Sequence, residues 1–197
     1  LTTLNVSKIA ITGTSANEKV IFDMLPGSFG TTILSTTGGV TVDMGSGTDA
    51  FMLRGTAAAD TYKMGNSAAG DSYFDLTNDG KADIRVIASD SFSISTLGGA
   101  DNFSAAASTV TATNFDATVT SLNAVSGAIT VYGGDGADTI QGGNGADILY
   151  GGPGDDTFKS AVASDGADVY YGDAGVDLVD YSNRTAAITA DIISDKG

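Results

Sequence analysis

Glycines and aspartates recur at fixed spacing in residues 133–159, where three nine-residue units follow one another without a gap. The units are GGDGADTIQ, GGNGADILY and GGPGDDTFK, and each has the form G-G-x-G-x-D-x-U-x, in which U is a large apolar residue. Glycine allows the positive φ angles of tight turns, and such turns can bring carbonyl oxygens together. Each turn adds one carboxylate, and calcium takes about 6–8 oxygen ligands. No single unit offers that many, so the pattern predicts calcium ions shared between stacked turns.

The apolar residue of each unit predicts a short strand after each turn. Ile140, Leu149 and Phe158 occupy the same place in the three units, and in a strand that place faces inward. A repeat of this kind is typical of a calcium-binding β-solenoid. The alternative is a disordered glycine-rich linker, which needs no phased apolar residue. Disorder is the expected state without calcium, because the clustered carboxylates repel one another.

The three units resemble the RTX (repeats-in-toxin) family of hemolysin-type calcium-binding β-rolls, and the resemblance covers residues 133–180. It implies a parallel β-roll with calcium in the turns, in which each unit stacks on the unit two places later. By position, Asp138 would share calcium with Asp156, Asp147 with Asp168, and Asp156 with Asp177. The implied metal ligands are these aspartates and the backbone carbonyls of turn positions 1 and 3: Gly133, Asp135, Asp138, Gly142, Asn144, Asp147, Gly151, Pro153, Asp156, Asp168 and Asp177.

Two later units depart from the pattern. Residues 160–162 interrupt the register before ASDGADVYY, where Ala163 and Ser164 replace the glycine pair. The last unit, GDAGVDLVD, has Asp173 at the second glycine position. The sites that involve Asp168 and Asp177 are therefore expected to be less regular than the others.

Residues 1–131 lack the nonapeptides but contain a second rhythm. Aspartates in TDAF, ADTY, GDSY and ADIR follow one another at spacings of 11, 11 and 12 residues. We interpret these as longer solenoid coils with one strand and one turn per period, and LGGADNF, from Leu97, as a further degenerate unit. The chain then divides into a β-rich segment, 1–131, and an RTX roll, 132–197. The first segment is predicted to be degenerate coils or a cap, with a separate β-sandwich as the alternative.

Alternating Val, Ile and Thr predict strands elsewhere in the first segment. They fall at residues 8–12, 19–23, 31–34 and 40–44, and in TVTATNF, ATVTSL and AITVY before residue 133. The tail from Asp180 is predicted to be a strand pair that leaves the roll.

DLTNDGKAD, from Asp75, allows two interpretations. Its spacing resembles integrin-type FG-GAP calcium loops and half an EF-hand loop, in which Gly80 would make the sharp turn. A plain Asn-Asp-Gly hairpin turn explains it equally simply and is favoured, because Asp83 also fits the aspartate rhythm.

Composition excludes several classes of function. The net charge is −15 and pI is about 4.1, which does not suit nucleic acid. Of the 24 acidic residues only Glu18 is a glutamate, and the other acidic residues are aspartates. Because glutamate favours helices and aspartate does not, this composition predicts almost no helix. The chain has no cysteine, no run of apolar residues long enough for a membrane span, and no histidine. The usual general base is therefore missing, and we expect no catalysis within this chain.

These features predict a non-catalytic, extracellular calcium-binding segment of a larger secreted bacterial protein, with a structural, adhesive or surface-layer role. The chain begins at Leu1 without a methionine and is expected to be a fragment. The resemblance implies type I secretion. The alternative is an accessory roll of a secreted enzyme or toxin whose catalytic domain lies elsewhere. Expected partners are calcium ions, neighbouring domains, and cell-surface contacts or further copies of the chain.

Overall fold

The computed structural model describes residues 8–24, 39–113, 115, 119–160, 166–185 and 187–188, and every regular element within them is a β-strand. The all-β prediction is therefore confirmed for the described part of the chain. The strands are β1 (Lys8–Thr14), β2 (Lys19–Asp23), β3 (Gly39–Gly45), β4 (Ala50–Arg54), β5 (Thr61–Asn66), β6 (Ser72–Asp75), β7 (Ile84–Ile87), β8 (Ser91–Ser95), β9 (Asn102–Ser104), β10 (Ile129–Tyr132), β11 (Thr139–Gln141), β12 (Ile148–Pro153), β13 (Thr157–Lys159), β14 (Val169–Ala174) and β15 (Leu178–Asp180).

The strands form two sheets between which the chain alternates. Sheet A has the order β1-β3-β7-β6-β5-β9-β11-β13-β15, and sheet B has the order β14-β12-β10-β8-β4-β2. Neighbouring strands are parallel, except where β6 pairs with β5 and β7. Only β5, β6 and β7 follow one another within the same sheet among the described strands. Elsewhere consecutive strands lie in opposite sheets, so the described turns between them lie side by side in successive coils.

The nonapeptide units stack two apart, as the resemblance implies. In sheet A, Ile140 pairs with Phe158 across β11 and β13. In sheet B, Val131 pairs with Leu149 across β10 and β12. Because the side chains of a strand alternate between its faces, this register places all the apolar U positions on the inner side.

The core lies between the sheets and runs through both segments of the chain. Ile140, Leu149 and Phe158 are at most 2% exposed, as predicted. They belong to one cluster of buried side chains that extends from Phe22 to Phe158. At the last coil the inward position is held by Val179, which pairs with Phe158 and is only partly buried against the core.

Each of the regularly spaced aspartates in the first segment is followed by a strand, but these strands do not all belong to solenoid coils. Asp49, Asp60, Asp71 and Asp83 each directly precede a strand, so one strand per period is correct. The prediction that each period forms a solenoid coil is wrong for β5, β6 and β7, which form an antiparallel meander inside sheet A. The meander turns Tyr73 toward a second, smaller core.

That second core explains why the described residues of TVTATNF do not form the predicted strand. Val110 and Ala112 pack with Leu122 and Tyr73 outside the main core, and the described part of this region makes only isolated bridges, such as Lys81 with Thr111. AITVY forms β10 as predicted. Residues 31–34, 116–118 and most of the tail after 185 lie outside the described residues.

DLTNDGKAD connects two antiparallel strands, β6 and β7, so the favoured hairpin interpretation is correct for its backbone. Asn78 and Gly80 have φ angles of 54° and 80°, which reverse the chain.

Candidate metal centre

Five aspartates form a ladder along the turns that lead from sheet B to sheet A. The backbone N–H of each donates to the Oδ1 of the aspartate in the next coil, at 2.8 Å for the first three pairs and 3.0 Å for the last. We call this set the first ladder: Asp60, Asp101, Asp138, Asp156 and Asp177. The parallel register of β5, β9, β11, β13 and β15 places these residues one above another.

A second ladder lies along the opposite edge, in turns that lead from sheet A to sheet B. Asp147 N–H donates to Asp168 Oδ1 at 3.0 Å. On its other side, Asp147 Oδ1 accepts a hydrogen bond of 2.9 Å from the N–H of Ile129. Each aspartate predicted to share an ion therefore lies next to its predicted partner in the stack.

The first ladder contains buried carboxylate oxygens that lack a hydrogen-bond partner. Asp101, Asp138 and Asp156 are at most 3% exposed, and the Oδ2 atom of each has no partner. A buried carboxylate is costly unless it is paired or binds a metal. Burial accordingly raises the pKa of the Asp138 and Asp156 carboxyls above the usual range. A bound cation would supply the missing partner, so these residues fit calcium.

Glycines make room for these carboxylates. A Cβ atom at Gly133 or Gly151, both at turn position 1, would collide with the Oδ2 of the aspartate at position 6 of the same unit. At position 4, a Cβ atom on Gly136 would collide with the carbonyl oxygen of Gly99 in the neighbouring coil. The glycine pattern thus reflects close packing both within a turn and between turns.

The carbonyls predicted as ligands line the same turns. Gly151 O and Pro153 O accept hydrogen bonds of 2.9 and 2.8 Å from the N–H groups of Gly134 and Gly136. Asp135 O accepts one of 2.8 Å from Gly99 N–H. Gly133 O accepts one of 2.6 Å from the Thr96 hydroxyl. A carbonyl oxygen has two lone pairs, so each of these can still face a cation.

The second ladder is chemically different from the first. Gly143 N–H donates to Asp147 Oδ2 at 2.8 Å, and a Cβ atom at Gly142 would collide with that same oxygen. The Tyr170 hydroxyl donates to Asp168 Oδ2 at 3.1 Å. Position 3 of this turn is Asn144, which is exposed. The second ladder therefore offers carboxylates that already accept hydrogen bonds from the protein.

The predicted ligand set lacks three members of these stacks. Asp60 stacks on Asp101 at the start of the first ladder. Asp101 is the upstream neighbour of Asp138, and its unit, TLGGADNFS from Thr96, was noticed only as a degenerate repeat. AVSGAITVY, from Ala124, stacks as a further unit with Ile129 at the aspartate position. The residues of AVSGAITVY that still match the repeat pattern are Gly127 at position 4 and the apolar Val131 at position 8.

Side chains alone do not make the centre. Among the described residues there is no group of three or more Asp, Glu, His or Cys side chains placed to hold a metal ion. Any ion in these turns must therefore draw on backbone carbonyls together with one or two carboxylates, a ligand set that suits calcium.

Comparison with known proteins agrees with this geometry. Residues 130–158 and 161–179 match the family model of the RTX calcium-binding nonapeptide repeat (4 copies). These residues are therefore RTX repeats, and calcium is the ion that such repeats bind. No curated protein matches the chain. Within the described ranges, no helix is long and apolar enough to cross a membrane.

Proposed function

We propose that the chain is a non-catalytic, calcium-dependent parallel β-roll that acts as a structural part of a larger secreted bacterial protein. The observation that carries this proposal is the row of buried carboxylate oxygens without partners at Asp101, Asp138 and Asp156, set among glycine turns. The absence of histidine from the sequence supports a non-catalytic role.

The proposed mechanism couples calcium binding to folding. Without calcium, stacked carboxylates repel one another and lack partners, so the open chain is favoured. An ion that bridges two turns binds the folded state alone, and its binding free energy then becomes folding free energy. A site stabilises the fold by about 2.7 kcal/mol when free calcium is 100 times its Kd. Weak sites of extracellular modules, with Kd of about 10⁻⁴–10⁻³ M, would leave the chain open in the cell and folded outside.

Circular dichroism of the chain in chelator and then in millimolar calcium tests this proposal. We expect a largely disordered spectrum that converts to a β-sheet spectrum on addition of calcium. Magnesium at the same concentration is the control for ionic strength and charge screening. A spectrum and melting temperature that do not change with calcium would contradict the proposal.

The proposed structural or assembly role is supported by the last coil. Among the described residues, β14 and β15 are the end strands of the two sheets, and Val176 and Leu178, just before and in β15, are 80% and 56% exposed. Coils of a solenoid bury their apolar faces only against adjacent coils. Sedimentation velocity at increasing calcium tests for self-association. A monomer at every calcium concentration would restrict the role to contacts with other parts of a longer chain.

A further inference from the structure

A nonapeptide-like unit lies near the start of the described chain, far from the residues that match the RTX family model. MGSGTDAFM, from Met44, places Gly45, Gly47, Asp49 and Phe51 at positions 2, 4, 6 and 8 of the repeat. Phe51 is buried in the main core, as are the other U residues. The unit differs from the matched repeats at position 1, which is methionine instead of glycine.

The backbone of this unit follows that of the matched turns. Gly45 and Gly47 have φ angles of 84° and 155°, and the equivalent Gly134 and Gly136 have 108° and 132°. Residues that carry a side chain rarely adopt such φ angles. A Cβ atom on Gly45 would collide with the carbonyl oxygen of Thr14, in the preceding coil. The equivalent collision for Gly134 is with Leu97 O.

Hydrogen bonds between the coils repeat the same pattern. Thr14 O accepts a bond of 2.9 Å from Ser46 N–H, as Leu97 O accepts one of 3.0 Å from Asp135 N–H. In both pairs of turns, the accepting carbonyl belongs to position 2 of one turn and the donating N–H belongs to position 3 of the other. The turn 13–18 therefore stacks on the turn 44–49 in the way that the turn 96–101 stacks on the turn 133–138.

The carboxylate in this stack is also short of a partner. Glu18 N–H donates to Asp49 Oδ1 at 2.7 Å, which holds the Asp49 carboxylate between the two turns. Asp49 is 1% exposed, and its Oδ2 has no hydrogen-bond partner. The Gly45 N–H does not supply one, because it donates to Asp43 Oδ1 at 3.1 Å. The Oε2 of Glu18 is buried and without a partner as well.

We propose that turns 13–18 and 44–49 hold a calcium ion between them, bound by the Asp49 and Glu18 carboxylates with backbone oxygens of the two turns. Two unpartnered carboxylate oxygens and a glycine-formed turn suit a hard divalent cation with oxygen ligands. The site is separate from the matched repeats, so the first segment of the chain would bind calcium in its own right.

Counting bound calcium tests this site in the full chain. Native mass spectrometry across a calcium titration would compare wild type with Asp49→Asn, which keeps the shape and the Oδ1 acceptor but removes the charge. We expect D49N to bind one ion fewer than wild type. Asp23→Asn is the matched control, because Asp23 lies at the other end of the β2–β4 pair and already pairs with Arg54 at 3.0 Å. D23N should bind the wild-type number, and an unchanged count in D49N would overturn the proposal.

A second comparison separates this site from the matched repeats. Asp138→Asn should lose calcium in the roll while the site at Asp49 keeps its ion. In a D138N/D156N double variant, hydrogen exchange at residues 13–18 and 44–49 should still slow when calcium replaces chelator. No slowing there would overturn the site even if D49N cannot fold. Loss of calcium in D49N with none lost in D138N would support this site and contradict the proposed calcium-dependent roll.

Discussion

The two carboxylate oxygens of Asp138 have different surroundings. Its Oδ1 accepts the N–H of Asp101 at 2.8 Å and joins adjacent coils without any ion. Its Oδ2 is buried with no hydrogen-bond partner. The same division applies to Asp156. One oxygen thus links adjacent coils, and the other is left without a partner where a cation would fit.

Asp138→Asn should therefore change stability in opposite directions with and without calcium. In chelator the variant removes a buried unpaired charge, and the folded state should gain about 1–3 kcal/mol. In millimolar calcium it loses a ligand, and the melting temperature should fall below that of wild type. Asp155→Asn, at an exposed turn position, should shift little in either condition. The β-sheet signal in circular dichroism measures the effect in chelator, and the melting temperature measures it in calcium. Changes of the same sign would contradict the two roles given to Asp138.

Leu97 occupies a glycine position, and its backbone is strained there. Its φ angle is 77°, at the turn position where Gly134 and Gly152 have 108°. The left-handed region costs a side-chain-bearing residue about 1–2 kcal/mol.

Leu97→Gly should consequently be more stable than Leu97→Ala by about 1 kcal/mol, since only glycine relieves the strain. Both variants remove the leucine side chain, so the comparison isolates the backbone. Denaturant unfolding of the two variants in calcium measures the difference. Alanine more stable than glycine, which is the usual order at ordinary φ angles, would show that position 97 is unstrained.

At the scale of elements, the phased apolar residues were enough to predict the short strands of the roll and the side on which they bury. The antiparallel meander of β5, β6 and β7 could not be predicted, because its aspartates keep the same spacing as those of true coils. AVSGAITVY was missed because Ile129 stands where the aspartate signal should be. Which carboxylate oxygens lack partners depends on contacts between coils, and spacing within one unit does not contain that information.

Sheet B has a feature that the repeat pattern did not reveal. Tyr132, Tyr150 and Tyr171 pair in register across β10, β12 and β14. Their rings stack with centroids 4.8 and 4.6 Å apart and nearly parallel planes. Tyr150 lies between the other two. Aromatic pairs contribute about 0.5–1.5 kcal/mol beyond their burial.

Tyr150→Ala breaks both stacks and should destabilise the calcium-bound fold more than Tyr132→Ala, which breaks one. The expected additional loss is about 0.5–1.5 kcal/mol, measured by denaturant unfolding in calcium. Equal losses in the two variants would show that the stacking itself contributes nothing.

At the scale of the whole molecule, the chain has a net charge of −15, and its fold buries several of the carboxylates that contribute to it. Burial raises the pKa of Asp83 to about 7, and it also raises the pKa of Asp138 and Asp156. Unfolded aspartates titrate near pKa 3.9. Each of these groups therefore favours the folded state when protonated.

Without calcium, the free energy of unfolding should fall as pH rises from about 4 toward 7, because the folded state must then give up protons that it holds more tightly than the unfolded chain. With saturating calcium the contribution of Asp138 and Asp156 should reverse, since protons compete with the ion for their oxygens. The β-sheet signal at pH 5 and pH 8 in chelator, and denaturant unfolding at the same two pH values in calcium, measure both trends. Identical pH dependence in the two conditions would contradict calcium binding at the buried carboxylates.

The dependence of melting temperature on free calcium tests the central claim most directly. If ions bind only the folded stack, unfolding free energy should rise by about 1.4 kcal/mol per bound ion for each tenfold increase in calcium above Kd. The melting temperature should rise steadily across the millimolar range, and D138N should show a shallower rise. A melting temperature that stays constant from chelator to millimolar calcium would contradict the account.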